Sequence, residues 1–242
     1  MAESMSAPQV VVLPDMDALT LRGSQEIAAA ISGAPAGEPF SVALTGGNTP
    51  RGPYRALADL DVPWDRARFL FGDERCVPPD ADGSNYGMAH DALLGRVPLE
   101  TRQVVRIHGE LPPDEAAARA EEDLRAALPG TPWPVIDLLL LGMGPDGHVA
   151  SLFPGAVEVD EDRRLAVPVH RPELPQPWRV SLTMPVLLAA RRTLLMVSGA
   201  DKAAAVARAV AGDPGIPAGR LRRDPSTTWL ITADAAAALP HT

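Results

Sequence analysis

The run Val135-Ile-Asp-Leu-Leu-Leu-Leu-Gly142-Met-Gly144-Pro-Asp146-Gly147-His148 constrains this chain more than any other stretch. An apolar segment of buried-strand length ends abruptly in three glycines, and a histidine follows at once. Glycines tolerate positive φ and let a ligand approach the backbone. In a parallel α/β sheet, ligands sit at the carboxyl edge of the strands, where this loop would lie. A histidine there can exchange protons near neutral pH. Strand, loop and His148 together read as an active site.

The rest of the pattern supplies a sheet around that strand. Short apolar, β-branched runs at 10–13, 40–44, 67–71, 135–141, 165–169, 179–183, 193–197 and 228–231 read as strands. Helical stretches alternate with them over 19–31, 51 to about 60, 84 or 85 to 94, 114–128 and 200–211. The helix at 114–128 is the clearest. Ala116, Ala120, Leu124 and Leu128 recur every fourth residue, acids fill the first turn, and Pro129-Gly130 stops it. This alternation predicts an α/β fold: three layers, with a mostly parallel twisted sheet between helices on both faces. No internal repeat or low-complexity linker interrupts it. Residues 1–242 read as one domain, with room for a lobe from mid-chain.

Composition narrows the function classes. Net charge is −9 over 242 residues, which argues against nucleic acid as a partner but leaves room for local arginines around a small anion. Cys76 is the one cysteine, so no intramolecular disulfide forms and a reducing cytoplasm fits. The first eight residues lack signal-peptide character, and no apolar run approaches the roughly 20 residues of a membrane span. The expectation is a soluble cytoplasmic protein, monomeric or weakly homo-oligomeric, with no membrane partner.

Several segments carry chemistry. Thr45-Gly46-Gly47-Asn48-Thr49-Pro50 is either a phosphate cradle or a plain strand-to-helix turn. As a cradle it offers backbone N–H groups, Asn48 or Thr49 as cap, and Pro50 at the first helical position. Gly142, Gly144 and Gly147 match the G-x-G-x-x-G spacing of dinucleotide sites. The acids Asp160 to Asp162 precede rather than end the next strand, however, and Pro145 removes an N–H. No nicotinamide or flavin site is expected. Asp146 either orients His148 or bonds its own loop. Asp73, Glu74 and Arg75 follow a strand, as a solvated loop or as a polar site wall in which Arg75 forks towards an anion. Cys76 beside them is a conceivable nucleophile but reads as an incidental thiol. Arg179 and Lys202 add two cations. Lys202, in a first helical turn where the dipole disfavours positive charge, suggests an anion nearby, against the plain reading of an exposed lysine. His90, His108, His170 and His241 show no close metal-ligand spacing, so no metal is expected.

Leu44-Thr-Gly-Gly-Asn-Thr-Pro50, Gly72-Asp-Glu-Arg75 with Val77-Pro and Ser84-Asn-Tyr86, Gly142 to Pro154, Arg179 to Thr183 and Ser198 to Lys202 stand in an order that resembles the glucosamine-6-phosphate deaminase/6-phosphogluconolactonase family. The resemblance is to its lactonase branch and spans most of the chain. It implies the Rossmann-like fold of the sugar-phosphate isomerase/deaminase type. It also implies hydrolysis of 6-phosphogluconolactone to 6-phosphogluconate in the oxidative pentose phosphate pathway, without metal or organic cofactor. On that reading His148 is the general base on water, with Asp73 and Arg75 in the catalytic set. The sugar-phosphate lactone is held by Gly46, Gly47, Asn48, Thr49, Gly144, Asp146, Gly147, Arg179 and Lys202. Two departures stand out: Thr45 and Asn48 replace the family's more usual serines, and Thr232 occupies the place of a C-terminal acid, with Asp234 displaced from it.

Two rivals remain in view. A deaminase of the same family typically carries an acid after the histidine, whereas Val149 to Pro154 contains none. A non-catalytic sugar-phosphate sensor would carry a DNA-binding module, for which the residues before Val10 are too few and the charge unsuitable.

Overall fold

The computed structural model describes residues 9–35, 37, 39–221 and 226–240. The N-terminal octapeptide and His241, both weighed above, lie outside the described residues. Strands β1 (Gln9–Leu13), β2 (Phe40–Leu44), β3 (Ala67–Phe71), β5 (Leu138–Leu141), β8 (Thr193–Val197) and β9 (Thr227–Thr232) form one sheet in the order β1-β9-β8-β5-β2-β3. Every pairing in it is parallel. The central strands β5 and β8 are buried along their whole length. That is why Leu138 to Leu141 reads as an unbroken apolar run rather than an alternating one.

Chain order and spatial order together locate the ligand edge. From β2 to β3 the chain steps towards one edge of the sheet, and from β8 to β9 it steps towards the other. With right-handed crossovers, α2 (Arg51–Ala58) and α6 (Ala203–Val210) therefore lie on opposite faces. Helix α1 (Met16–Ser32) packs beside α2. The direction reverses between β2 and β5, so a crevice opens beyond their carboxyl ends. The two glycine loops follow those two strands, Thr45 onwards after β2 and Gly142 onwards after β5.

A second sheet was not expected. The predicted strands near 165–169 and 179–183 do not join the parallel sheet. As β6 (Ala166–His170) and β7 (Trp178–Leu182) they pair antiparallel with β4 (Asp73–Arg75), in the order β4-β7-β6. β4 carries no strand signal in sequence, because all three of its residues are charged and nothing in its pattern alternates. α4 (Pro113–Ala127) packs over this small sheet and buries Ala116, Ala120 and Leu124, as the periodicity predicts, together with Ala117; Leu128, just past its end, is buried too. Residues of both sheets, Leu139 and Val180 among them, belong to one continuous buried cluster.

Other differences are local. The helix expected over 200–211 is a 3-10 turn, Ala200–Lys202, followed by α6. Lys202 therefore flanks the α-helix instead of sitting inside its first turn. Pro50 precedes α2 rather than opening it, and neither Asn48 nor Thr49 caps the helix through its side chain. α3 (Asn85–Ala89), capped by Ser84, continues through His90–Leu94 in wider π-type turns. Two five-residue helices, α5 (Met184–Leu188) and α7 (Pro217–Leu221), are too short to show a helical period in sequence.

Candidate active site

A cavity of about 220 Å³ lies over the carboxyl ends of β2 and β5. Its floor is the Thr45–Pro50 loop and its far wall is Gly142 to Pro145 with His148. Asp73, Arg75 and Arg179 enter from the antiparallel sheet, and Lys202 enters from the loop after β8. Two predicted residues are not in this wall. Asp146 lies behind His148, and Gly147, at φ 88°, turns towards Ile216.

Two glycines are required by close approach rather than by backbone freedom. A Cβ on Gly144 would come within 2.1 Å of the His148 ring, and one on Gly46 within 1.8 Å of the Asn85 amide oxygen. The loop base is pinned from below by Tyr54, whose hydroxyl accepts from the Thr45 N–H (2.9 Å) and donates to the Thr45 carbonyl (3.0 Å). Burial drives that phenol's pKa far above its ordinary value, so it stays protonated as a donor.

His148 is held on three sides. Its Nδ1 bonds Asp146 Oδ1 at 2.7 Å, and its backbone N–H donates to the same oxygen at 3.1 Å. Phe153 lies 4.4 Å from the imidazole, centroid to centroid. Burial pushes the Asp146 carboxyl up, but the His148 hydrogen bonds and charge outweigh it, and the group titrates below its ordinary value. An ionised Asp146 accepting from Nδ1–H leaves Nε2 with its lone pair, the tautomer a proton acceptor needs. The backbone beyond bends sharply. Ala150, at φ 49°, is left-handed without being glycine, at a cost of about 1–2 kcal/mol. The bend carries Ser151 under the cavity.

Asp73 is 5% exposed and fully engaged: Ser151 Oγ donates to its Oδ2 at 2.6 Å and Asn85 Nδ2 to its Oδ1 at 3.1 Å. Its neighbour Glu74 points the other way and is 2% exposed. The Glu74 carboxylate accepts from the backbone N–H groups of Arg75, Asn85 and Tyr86 and from Ser84 Oγ, which ties the segment after β4 back onto that strand. Burial raises the Glu74 carboxyl above its ordinary value, and these backbone donors oppose the shift. Sequence reading missed both Glu74 as an anchor and Asn85 as a wall residue. The S-N-Y pattern after the charged triplet Asp73-Glu74-Arg75 was the available signal.

Arg75 and Arg179 stand directly opposite each other in the β4·β7 ladder. Like charges at such a position destabilise a strand pair. Burial first, then the charges of Arg75 and Arg171, press the Arg179 guanidinium towards deprotonation, with Asp73 and Glu74 opposing. Lys202 is likewise pushed down by burial. The lining thus sets Arg75, Arg179 and Lys202 against Asp73 as its one carboxylate, in a protein of net charge −9. An anionic ligand relieves that imbalance. Thr49 Oγ1 and Ser198 Oγ share a 2.8 Å hydrogen bond that joins the glycine loop to the Lys202 segment.

Two other features lie apart from this chemistry. Cys76 is outside the wall, and burial and Glu74 push its thiol up to about 11. Asp234 accepts from Thr232 Oγ1 and the Ala235 N–H, closing the turn after β9. Among the described residues no His/Cys/Asp/Glu cluster is arranged for a metal ion, and no helix is long and apolar enough to cross a membrane.

Comparison with known proteins identifies the family. Residues 14–229 match the model of the glucosamine-6-phosphate isomerases/6-phosphogluconolactonase family. The chain is 38% identical to the 6-phosphogluconolactonase of Mycobacterium tuberculosis, over 96% of this chain and 98% of that one. It superposes on the crystal structure of 6-phosphogluconolactonase from Leishmania guyanensis with a TM-score of 0.85 at 29% identity, covering 97% and 100% of the two chains. A monomeric glucosamine-6-phosphate deaminase shares the fold, at TM-score 0.83 and 21% identity, covering 95% and 99%.

Proposed function

This chain belongs to the glucosamine-6-phosphate isomerase/6-phosphogluconolactonase family, and we propose that it hydrolyses 6-phospho-D-glucono-1,5-lactone to 6-phosphogluconate in the oxidative pentose phosphate pathway. The observation that carries this reading is a single cavity holding an Asp146-oriented imidazole, a glycine loop and three cations around one carboxylate. The relatives' names supply the substrate. The deaminase reading is weaker, because Asp73 is the one carboxylate in the lining and its two oxygens are already engaged.

The phosphate end of the lactone belongs with Gly46, Gly47, Asn48 and Thr49, where Lys202 is tethered through Ser198. This leaves the ring ester for His148 and the two arginines. His148 Nε2 takes a proton from water as the water oxygen bonds to C1. The resulting oxyanion is stabilised by a guanidinium and by backbone N–H groups of the Gly144 loop. Collapse breaks the bond between C1 and the ring oxygen, and the imidazolium returns its proton to that oxygen. Asp146 keeps the imidazole in the productive tautomer, and Asp73 offsets the paired arginines. The proton released with the carboxylate product goes to solvent. No step calls for a metal or an organic cofactor.

The test is a coupled assay with freshly generated lactone, corrected for spontaneous hydrolysis and run beside glucosamine 6-phosphate. Lactone turnover without ammonia release is expected. His148→Ala should lower kcat by about 10²–10⁴. A folded His148→Ala protein with full activity removes the base role, and ammonia release overturns the lactonase reading.

A further inference from the structure

Among the described residues, three buried side-chain polar atoms have no protein partner: Arg75 Nε, Asn85 Oδ1 and Trp229 Nε1. Two of the three belong to residues that line the same cavity. Buried polar atoms are ordinarily paired, so the coincidence at one site points to a ligand group. The orientation of the Asn85 amide is fixed independently. Its Nδ2 donates to both the Asp73 carbonyl (2.9 Å) and Asp73 Oδ1 (3.1 Å), two acceptors that a flipped amide would face with oxygen. The residue is 2% exposed, and its backbone is tied down by Glu74. Oδ1 is therefore a rigidly held acceptor resting against the bare Cα of Gly46.

Asn85 and Arg75 also line a second, larger cleft of about 730 Å³, so both stand where it joins the 220 Å³ cavity. The orphan atoms are an acceptor and a donor. A carboxylate or phosphate would satisfy Arg75 Nε but would repel Asn85 Oδ1, and a cation would do the reverse. A hydroxyl satisfies both, donating to Oδ1 while accepting from Nε–H. We infer that Asn85 is a specificity-determining residue whose Oδ1 accepts a hydrogen bond from one ring hydroxyl of the sugar lactone, with Arg75 Nε donating to the same oxygen. The inference rests on the lactonase reading above. Reaching Oδ1 requires the Gly46 Cα to withdraw from it, because the atom is buried against that glycine.

The experiment compares kcat/KM for 6-phosphogluconolactone with the 2-, 3- and 4-deoxy analogues, each generated in situ by oxidation of the corresponding deoxyglucose 6-phosphate. Wild type should discriminate against one analogue by at least about tenfold, because a site built around a hydroxyl is left with unpaired groups when it is missing. Asn85→Ala and the milder Asn85→Ser should abolish that selectivity. Ser151→Ala removes the other donor to Asp73 and should lower kcat while leaving the selectivity intact. This separates hydroxyl recognition from support of Asp73. Equal kcat/KM across the deoxy series in wild type overturns the inference even if neither Asn85 variant folds, and so does unchanged selectivity in a folded Asn85 variant. Absence of wild-type turnover on any lactone defeats the functional reading instead.

Discussion

The two sheets divide the labour unequally. The six-stranded parallel sheet is apolar through its centre and delivers its contribution at strand ends, as glycine loops and an imidazole. The three-stranded antiparallel sheet delivers side chains from within its strands: Asp73 and Arg75 from β4 and Arg179 from β7. The first is a scaffold whose side chains fill the core while its loops meet the ligand. The second is a wall that tolerates opposed arginines for the sake of what lies between them. Charge in a strand interior is costly enough that it marks where binding, rather than folding, sets the residue.

Substitutions can break this division. Leu139→Ala, in the middle of the parallel sheet and fully buried, should cost about 2–5 kcal/mol in denaturant unfolding. The folded fraction should keep its KM. A large change in KM would mean that the scaffold reaches the site directly.

Glu74 is the exception on the charged wall. Glu74→Ala leaves the backbone donors of Arg75, Asn85 and Tyr86 without their acceptor, for a loss of about 2–4 kcal/mol. Burial raises this carboxyl in the folded state, so the unfolded chain gives up the proton first. The group's contribution to stability therefore declines as pH rises from the unfolded carboxyl range through the raised folded one. That slope should vanish from the melting temperature–pH profile of Glu74→Ala. An unchanged profile would place the titration elsewhere.

Arg179→Met sharpens the contrast from the other side. It should lower kcat/KM about 10–100-fold, as expected for a lost charge-assisted contact, while the melting temperature holds or rises because the Arg75–Arg179 opposition is gone. Destabilisation without loss of activity would make Arg179 structural. The smallest effect is expected at Lys202. Lys202→Met should weaken inhibition by 6-phosphogluconate about tenfold. Because burial lowers the Lys202 pKa, wild-type inhibition should weaken with rising pH below the range where a free lysine titrates. The variant should lack that dependence.

Much of the site was legible because its parts are local in sequence. The two glycine loops, His148 and Lys202 each follow an apolar strand, and strand ends announce themselves through hydrophobic periodicity and glycine. Asp146 could be read as orienting the imidazole because a single residue, Gly147, separates them, and the structure places its Oδ1 at hydrogen-bond distance from Nδ1. The structure leaves Asp146 out of the cavity lining, with its Oδ1 on the Nδ1 side of the imidazole. β4 escaped notice because a three-residue strand of charges has no alternation to detect. Its pairing with Val180 and the neighbours of Val180, more than a hundred residues away, leaves no mark on either segment alone.

The chain's own pattern determined the parallel scaffold, the loops at its carboxyl edge and the imidazole among them, since apolar periodicity and glycine act over a few residues. Tertiary structure alone decided that two arginines would face each other, that Asn85 and Ser151 would clasp Asp73 from 12 and 78 residues further along the chain, and that Glu74 would turn inwards as an anchor. Those outcomes depend on charges brought together from distant segments, and the energy of such a meeting exists only once the backbone has closed around it.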